Sequence, residues 1–579
     1  MTMLTKWGAA LDRSCPLPEY PRPQLRRESF YNLNGVWDYA VTPSGDEPEV
    51  WDGEIVVPFS PEAPLSGAAR GPAKDEYLHY RRGFTLPEGF QKSRVLLHFG
   101  AVDQIAEVFV NGVSAAKHSG GYWPFSADIT SLLREGENIL RVTVRDNADD
   151  PTFAYGKQRY KRGGMWYTAQ SGIWQTVWLE SVPEVYVKSL RITPEFDEAR
   201  VRIELETALE SSAAITCDVR AADGSFVAGS WAKGGVCVVP LPGFRAWTPD
   251  DPYLYTLDIT CGEDHVESYF AMRKFSYVEL DGHKVFGLNN APLFHNGLLD
   301  QGYYPDGLLT PPSDEAMVND IETMKRCGFN MLRKHIKIEP LRWYYHCDWL
   351  GMIVWQDMVS GGQPYSFLHV SALPTLGKVD LPDQDAKPYG RSGVLSRARF
   401  RREMADTVRL LYNCPCIALW TVFNEGWGQF DALDMGCELK KLDPTRFIDH
   451  ASGWQDQGYE EMKSRHIYFR PVKLKNDGRA LALTEYGGYI LAVDGHRWTD
   501  KVFGYRICRD SAALAHDYEK LMLGQVLPHI RKEGLTAAVY TQITDVEEEL
   551  NGLMTYDREV LKIPEETLRE INAALRFDA

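Results

Sequence analysis

The chain has 579 residues, 44% hydrophobic, 25% charged and 12% aromatic, a globular composition that excludes a disordered or fibrous protein. With about 150 residues per ordinary domain, and barrels taking about 250 in one piece, this length predicts about three domains. The 80 acidic residues outnumber the 63 basic ones, and the resulting charge of −17 repels phosphate backbones and anionic lipid, so neither nucleic acid nor a membrane is expected as a partner.

No run of about 18 apolar residues occurs, and residues 1–20 mix Lys6, Asp12 and Arg13 with no hydrophobic stretch before them. A cytoplasmic location is expected, unless an export signal has been removed. Ten cysteines are spread thinly, and Cys327, Cys347 and Cys414 fall within apolar patterns, which predicts reduced, buried thiols. Cys414 and Cys416 form a close pair around Pro415, but no second pair stands at metal-ligand spacing.

From Glu28 to Val182 short alternating strands such as Val95 to Phe99, Ala106 to Val110 and Asn138 to Arg145 predict an antiparallel β-sandwich. Asn111-Gly112 marks a hairpin, because both positions tolerate positive φ. A second all-β segment, Pro183 to Lys274, alternates in Ala199 to Glu206, Ala214 to Val219 and Tyr253 to Ile259, and its length suits an immunoglobulin-like sandwich. The expected domains are thus 1–182, 183–274 and 275–579.

Beyond Phe275 strands alternate with helices. Ser313 is placed to cap a helix whose Met317, Ile321 and Met324 share one face, and Gly328 closes it. Strands are expected at Leu293 to Leu298, Phe329 to Arg333, Met352 to Asp357, Ile417 to Asn424, Phe447 to Ala451, His466 to Phe469, Ala482 to Glu485 and Ala537 to Ile543. Eight such strands predict a (β/α)8 barrel, whose functional residues gather at the C-terminal strand ends. Asp300, Arg333, Asp357, Asn424, Glu425, Tyr468, Glu485 and the group around Gln542 stand there.

Glu425 follows the apolar run Ile417 to Phe423 and Asn424, and precedes Gly426-Trp427-Gly428; Glu485 ends Ala482-Leu483-Thr484. Desolvation at a barrel mouth raises a carboxyl pKa toward that of a general acid. A carboxylic acid facing a second carboxylate is the pair that glycoside cleavage requires, although either residue alone reads more readily as a salt bridge or cap.

Trp420-Thr-Val-Phe-Asn424-Glu425 and Leu483-Thr-Glu485-Tyr486 resemble the acid/base and nucleophile motifs of glycoside hydrolase family 2. Leu33-Asn-Gly-Val-Trp37, Val108-Phe-Val-Asn-Gly112 and Ser171-Gly-Ile-Trp-Gln-Thr-Val-Trp-Leu-Glu180 are similar to that family's jelly-roll domain, and the run from Trp247 to Leu257 to its immunoglobulin-like domain. The resemblance covers nearly the whole chain. It implies a jelly roll, an immunoglobulin-like sandwich and a C-terminal TIM barrel, with retaining double displacement by Glu485 as nucleophile and Glu425 as acid/base. Asn424 would bind the sugar 2-hydroxyl, and Tyr468 would hydrogen-bond the nucleophile or else be a core aromatic.

Arg333 stands where the family has the arginine of Arg-x-Ser-His-Tyr-Pro, but this chain continues Lys334-His335-Ile336-Lys337, so His335 either replaces the family's histidine with a shifted register or is a core or surface histidine. Asp300 and Trp427 are further candidates for substrate contact; Trp427 and Trp454 could stack on a sugar or belong to the core. Asp357 stands near where some β-galactosidases place an acidic Mg²⁺ ligand, and it reads more readily as a salt-bridged residue. No cofactor is expected to be required, with Mg²⁺ or Na⁺ as weak candidates. The acidic run Thr544 to Glu549 is either a substrate contact or a solvated loop, and residues 359–393 could shape the entrance or an intersubunit contact.

Among the family's sugars β-galactose is favoured. Its glucuronidases usually carry an Asn-x-Lys motif that grips the sugar carboxylate; this chain has none, with Asn551-Gly-Leu553 in that region, so an anionic sugar would need another cation such as Lys334 or Lys337. The rival readings are a non-catalytic carbohydrate-binding protein and a metal-dependent hydrolase using Asp300, His295 and Asp357. Relatives are often dimers or tetramers, so self-association is implied by resemblance.

Overall fold

The computed structural model describes residues 3–577 except 210–213, 376, 378 and 379. The first sandwich packs a four-stranded antiparallel sheet on a six-stranded one, its strands running from Tyr31–Asn32 to Val177–Val182. Inward side chains of both sheets, among them Trp37, Tyr39, Tyr80, Phe99 and Leu179, fill its core. Asn111 and Gly112 take φ of 51° and 82° between Ile105–Val110 and Val113–Ser119, as the hairpin requires. The second sandwich sets three strands against four, from Val187–Glu195 to Asp264–Phe270, around Val201, Ile203, Cys217 and Leu257.

Eight parallel strands follow: β1 (His295–Asp300), β2 (Met331–Lys334), β3 (Ile353–Asp357), β4 (Ile417–Thr421), β5 (Phe447–Asp449), β6 (Met462–Ile467), β7 (Ala480–Gly487) and β8 (Leu535–Thr541). They pair in the order β5-β4-β3-β2-β1-β8-β7-β6. Side chains join the two ends of the sheet, as Ser464 Oγ on β6 donates to the Ala451 carbonyl at 3.0 Å just past β5. The result is a nearly closed (β/α)8 barrel, the expected fold class.

Ser313 accepts the Ala316 N–H and opens the helix Asp314–Arg326, whose Met317, Ile321 and Met324 are buried. Two connections differ from expectation. Among the described residues no helix follows β5 or β6, and the strand expected at His466 to Phe469 runs instead over Met462–Ile467. Ser464 and His466 then point inward at strand spacing, and Tyr468 lies just beyond the strand end.

A three-stranded meander, Phe275–Leu280, His283–Leu288 and Ala291–Pro292, closes the N-terminal end of the barrel. Phe286 stacks on Phe447 at 4.2 Å and meets Trp355 edge-on at 5.8 Å. The ten cysteines are thiols outside any disulfide, and eight are buried, including Cys414 and Cys416.

Phe286 fills the barrel floor, so Phe286→Ala should cost about 3–5 kcal/mol through lost transfer energy and a cavity beneath Trp355. A guanidinium titration would show the loss; an unchanged midpoint would mean that the meander does not plug the barrel.

Candidate active site

The barrel's C-terminal face carries a buried hydrogen-bonded cluster centred on Arg333, which is 0% exposed at the end of β2. Its Nε and Nη2 hold both oxygens of Asp357 at 2.9 and 3.0 Å. Nη2 also donates to Asn424 Oδ1 at 2.7 Å, while Nη1 donates to the Thr484 carbonyl and to Glu485 Oε1, each at 3.1 Å. Five donors thus meet acceptors on strands β3 and β7 and just past β4, which a lysine could not reproduce.

Burial alone would raise the Asp357 carboxyl, but the Arg333 charge and the His335 hydrogen bond outweigh it and hold Asp357 at about 2. An ionised carboxylate only accepts, so His335 Nδ1, 2.7 Å away, carries the proton. Burial lowers His335 to about 3, leaving a neutral ring whose Nε2 is an acceptor with no partner among the described residues. Both Asp357 oxygens are therefore already occupied, which does not fit the cation-ligand reading.

Glu485 Oε2 accepts from the Tyr468 hydroxyl at 2.5 Å, and that hydroxyl lies 3.0 Å from Thr541 Oγ1. Glu425 stands opposite on a turn with φ +54°, its N–H bonded to the Ser452 carbonyl and its own carbonyl accepting from Trp454 Nε1. His466 Nδ1 lies 2.8 Å from Glu425 Oε1 and 3.7 Å from Glu485 Oε2. One oxygen of Glu425, one of Glu485 and a His466 ring nitrogen lie within 4.8 Å of one another. Burial pushes the Glu425 carboxyl up to about 7 against the pull of Lys157 and Arg333. Burial also lowers His466 to about 3, so that ring is neutral.

Arg333, Asn424, Glu425, Tyr468 and Glu485 are thus brought together, with His335 behind Asp357. Asp300 is not among them; it binds Lys334 Nζ at 2.6 Å and the Gly302 N–H at 2.8 Å. Trp427 is 5% exposed and lies edge-on to Trp166 at 5.0 Å, which leaves little of its ring for a sugar. His295 is 0% exposed and accepts from Trp355 Nε1, so Asp300, His295 and Asp357 form no common donor set. His466 and Lys157 were not singled out from sequence. Alternation with Ser464 and Tyr468 would have revealed His466, whereas nothing local marks Lys157.

The sandwich reaches this face through residues 154–168. The Tyr155 and Gly156 N–H groups both donate to the Ser360 carbonyl, just past β3. Gly156 has φ +64°, and a Cβ there would meet Tyr122 Oη at 2.8 Å, so the close approach needs glycine. The acidic run clamps the far side: Tyr167 Oη donates to Glu549, Thr168 N to Glu547 at 2.8 Å and Gly164 N to Glu548 at 2.9 Å. It is thus an interdomain clamp rather than a solvated loop. Within residues 359–393, Asp383 braces the turn after Glu425 by accepting from Gln429 Nε2 and Ala432 N.

Three family models match in order: "Glycosyl hydrolases family 2, sugar binding domain" over residues 64–183, "Glycosyl hydrolases family 2" over 185–273, and "Glycosyl hydrolases family 2, TIM barrel domain" over 310–474. The chain belongs to glycoside hydrolase family 2. The barrel match includes Glu425 and ends before Glu485.

A Halalkalibacterium halodurans β-galactosidase is 23% identical over 78% of this chain and 45% of its own length. The Homo sapiens β-glucuronidase is 22% identical over 78% of this chain and 73% of its own. The chain spans less than half the length of the β-galactosidases it matches. Among solved structures, an uncultured Clostridium sp. β-glucuronidase superposes with TM-score 0.75 at 19% identity, covering 95% of this chain and 99% of that one. An Eisenbergiella tayi β-galacturonidase gives 0.69 at 19%, covering 96% and 97%. Among the described residues no helix is long and apolar enough to cross a membrane.

Glu425 titrates near pH 7 in the fold instead of at 4.5, so ionising it there costs free energy. That penalty is absent below pH 4.5 and complete above pH 7. Glu425→Gln removes it, and the variant's stability relative to the parent should grow by about 3 kcal/mol across this window. Denaturant titrations at both ends would show the difference; an equal effect at both would contradict the raised titration.

Proposed function

We propose that this chain is a retaining, exo-acting β-glycosidase that removes a terminal sugar by double displacement. The carrying observation is the pair itself: oxygens of Glu425 and Glu485 within 4.8 Å of one another. Retaining enzymes set their carboxyl groups about 5–5.5 Å apart, against about 6.5–9.5 Å where a water must fit between them. The sandwich loop and its acidic clamp cover one side of the opening, which supports removal of a terminal unit rather than cleavage along an open groove.

Glu485 attacks the anomeric carbon while protonated Glu425 gives its proton to the departing oxygen. The glycosyl ester on Glu485 is then opened by water, whose proton returns to Glu425 as the sugar leaves. Arg333 and the Tyr468 hydroxyl orient Glu485 and disperse its charge. Asn424 has its carbonyl committed to Arg333, so its amide N–H groups remain to donate to the sugar 2-hydroxyl, a contact that strengthens in the transition state. The steps draw on no metal.

The sugar favoured from sequence is β-galactose, and relatives named β-galactosidase support it. Relatives and structural neighbours named β-glucuronidase support the rival. A non-catalytic carbohydrate-binding role would not require a second carboxylate within reach of a raised one.

Chromogenic β-glycosides of galactose, glucuronic acid, mannose, glucose, arabinose and fucose test the reading directly. Glu485→Gln should abolish turnover while leaving the fold intact, and full activity in that variant would overturn the assignment. For the parent, kcat/KM should fall as pH rises through about 7, where Glu425 loses its proton, and a profile flat through that range would remove Glu425 from the acid role.

A further inference from the structure

Four lysines are buried: Lys157, Lys334, Lys337 and Lys562. Three are neutralised. Lys334 binds Asp300 and Glu339 at 2.6 and 2.8 Å; Lys337 binds Glu339 at 2.8 Å and the Gly302 and Leu309 carbonyls; Lys562 binds Asp545 at 2.6 Å. Their acceptors are inside the protein, so Lys334 and Lys337 are not available to a ligand, contrary to the expectation for an anionic sugar.

Lys157 differs. It is 9% exposed, yet among the described residues its ammonium has no ion pair within 4.0 Å, and it lies 5.7 Å from the centre of the Trp166 ring. Most of the side chain is covered while its ammonium keeps no ion pair within the protein, which leaves that charge free for an anionic ligand. Its backbone is fixed, with the Lys157 carbonyl accepting from Tyr167 N at 3.0 Å and the neighbouring Gly156 anchored on Ser360. Trp166 lies edge-on to Trp427, two residues beyond Glu425, so the ammonium stands beside the carboxylate pair. Its charge acts on Glu425, Glu549 and His335, the groups that border the same opening.

Of these, Glu549 already accepts the Tyr167 hydroxyl, Glu425 must carry a proton to act as an acid, and His335 is neutral. Arg159 and Arg162 on the same loop are turned to Asp149 and Glu547 at 3.7 and 3.4 Å. Where the family's carboxylate-gripping lysine would stand, this chain has Leu553, 1% exposed.

We propose that Lys157, supplied by the sandwich loop rather than by the barrel, binds the carboxylate of a terminal uronic acid, making the substrate class a β-glycuronide. This rests on the glycosidase reading above. A carboxylate on the sugar ring would give the ammonium its missing partner, whereas a hydroxymethyl group at that position would leave it unpaired. Glucuronide and galacturonide share this group and differ at the 4-hydroxyl.

The test compares 4-nitrophenyl β-glucuronide, β-galacturonide, β-galactoside and β-glucoside with the full-length parent, Lys157→Met and Lys157→Arg. At least one uronide should be preferred over both hexosides. Lys157→Met should lower the ratio of uronide to hexoside kcat/KM by about 10- to 100-fold, the worth of a hydrogen bond to a charged group, and Lys157→Arg should restore most of it. Preference for a hexoside, or an unchanged ratio in Lys157→Met, would overturn the proposal. Calorimetric titration of free glucuronate and galacturonate into Glu485→Gln protein separates it from the glycosidase reading. Binding that weakens with Lys157→Met supports the carboxylate subsite even if no glycoside is cleaved, and binding indifferent to Lys157 overturns it.

Discussion

The side of the barrel mouth that carries Glu485 is fixed by one guanidinium. Arg333 has no contact with solvent, and its five N–H donors reach Asp357, Asn424, Glu485 and the backbone beneath Glu485. Each bond settles a question of chemistry. The bond to Asn424 turns the amide so that its donors are free, and the pair with Asp357 keeps that carboxylate ionised and so sets the tautomer of His335. The bond to Glu485 Oε1 aims the carboxylate across the pocket. Removing one partner from such a buried group would leave charges without compensation, at a cost of about 3–5 kcal/mol.

The two glutamates differ because their surroundings differ. Arg333 and Tyr468 donate to Glu485, whereas Glu425 receives only the neutral His466, whose approach does not offset its burial. One carboxyl thereby keeps its proton up to about pH 7, facing another that accepts two side-chain hydrogen bonds. The backbone contributes too: Glu425 takes a left-handed conformation, sparsely populated by residues other than glycine, and the Ser452 carbonyl holds it there.

Much of this could be read from the chain. Apolar runs of strand length ending in polar residues located the barrel mouth, and Glu425, Asn424 and Glu485 stand where those runs stop. What could not be read depends on distant partners. Lys334 and Lys337 look like binding residues until Asp300 and Glu339 are seen to neutralise them. The glutamates of the 544–549 run resemble a solvated loop because their partners, Gly164, Tyr167 and Thr168, lie some 380 residues earlier. Lys157 belongs to a domain whose local pattern is that of a scaffold, and only the docking of Gly156 against Ser360 brings it to the opening. The segments after β5 and β6, 452–461 and 468–479, are polar and interrupted by Gly453, Gly458, Pro471 and Gly478, so they carry no helical period.

Proton NMR of the first sugar released from an aryl β-glycoside substrate reads most directly whether the two glutamates perform a double displacement. The separation of Glu425 and Glu485 predicts that the β anomer appears first and the α anomer only by later mutarotation. Initial appearance of the α anomer would mean that water attacks directly, and that Glu485 forms no bond to the sugar.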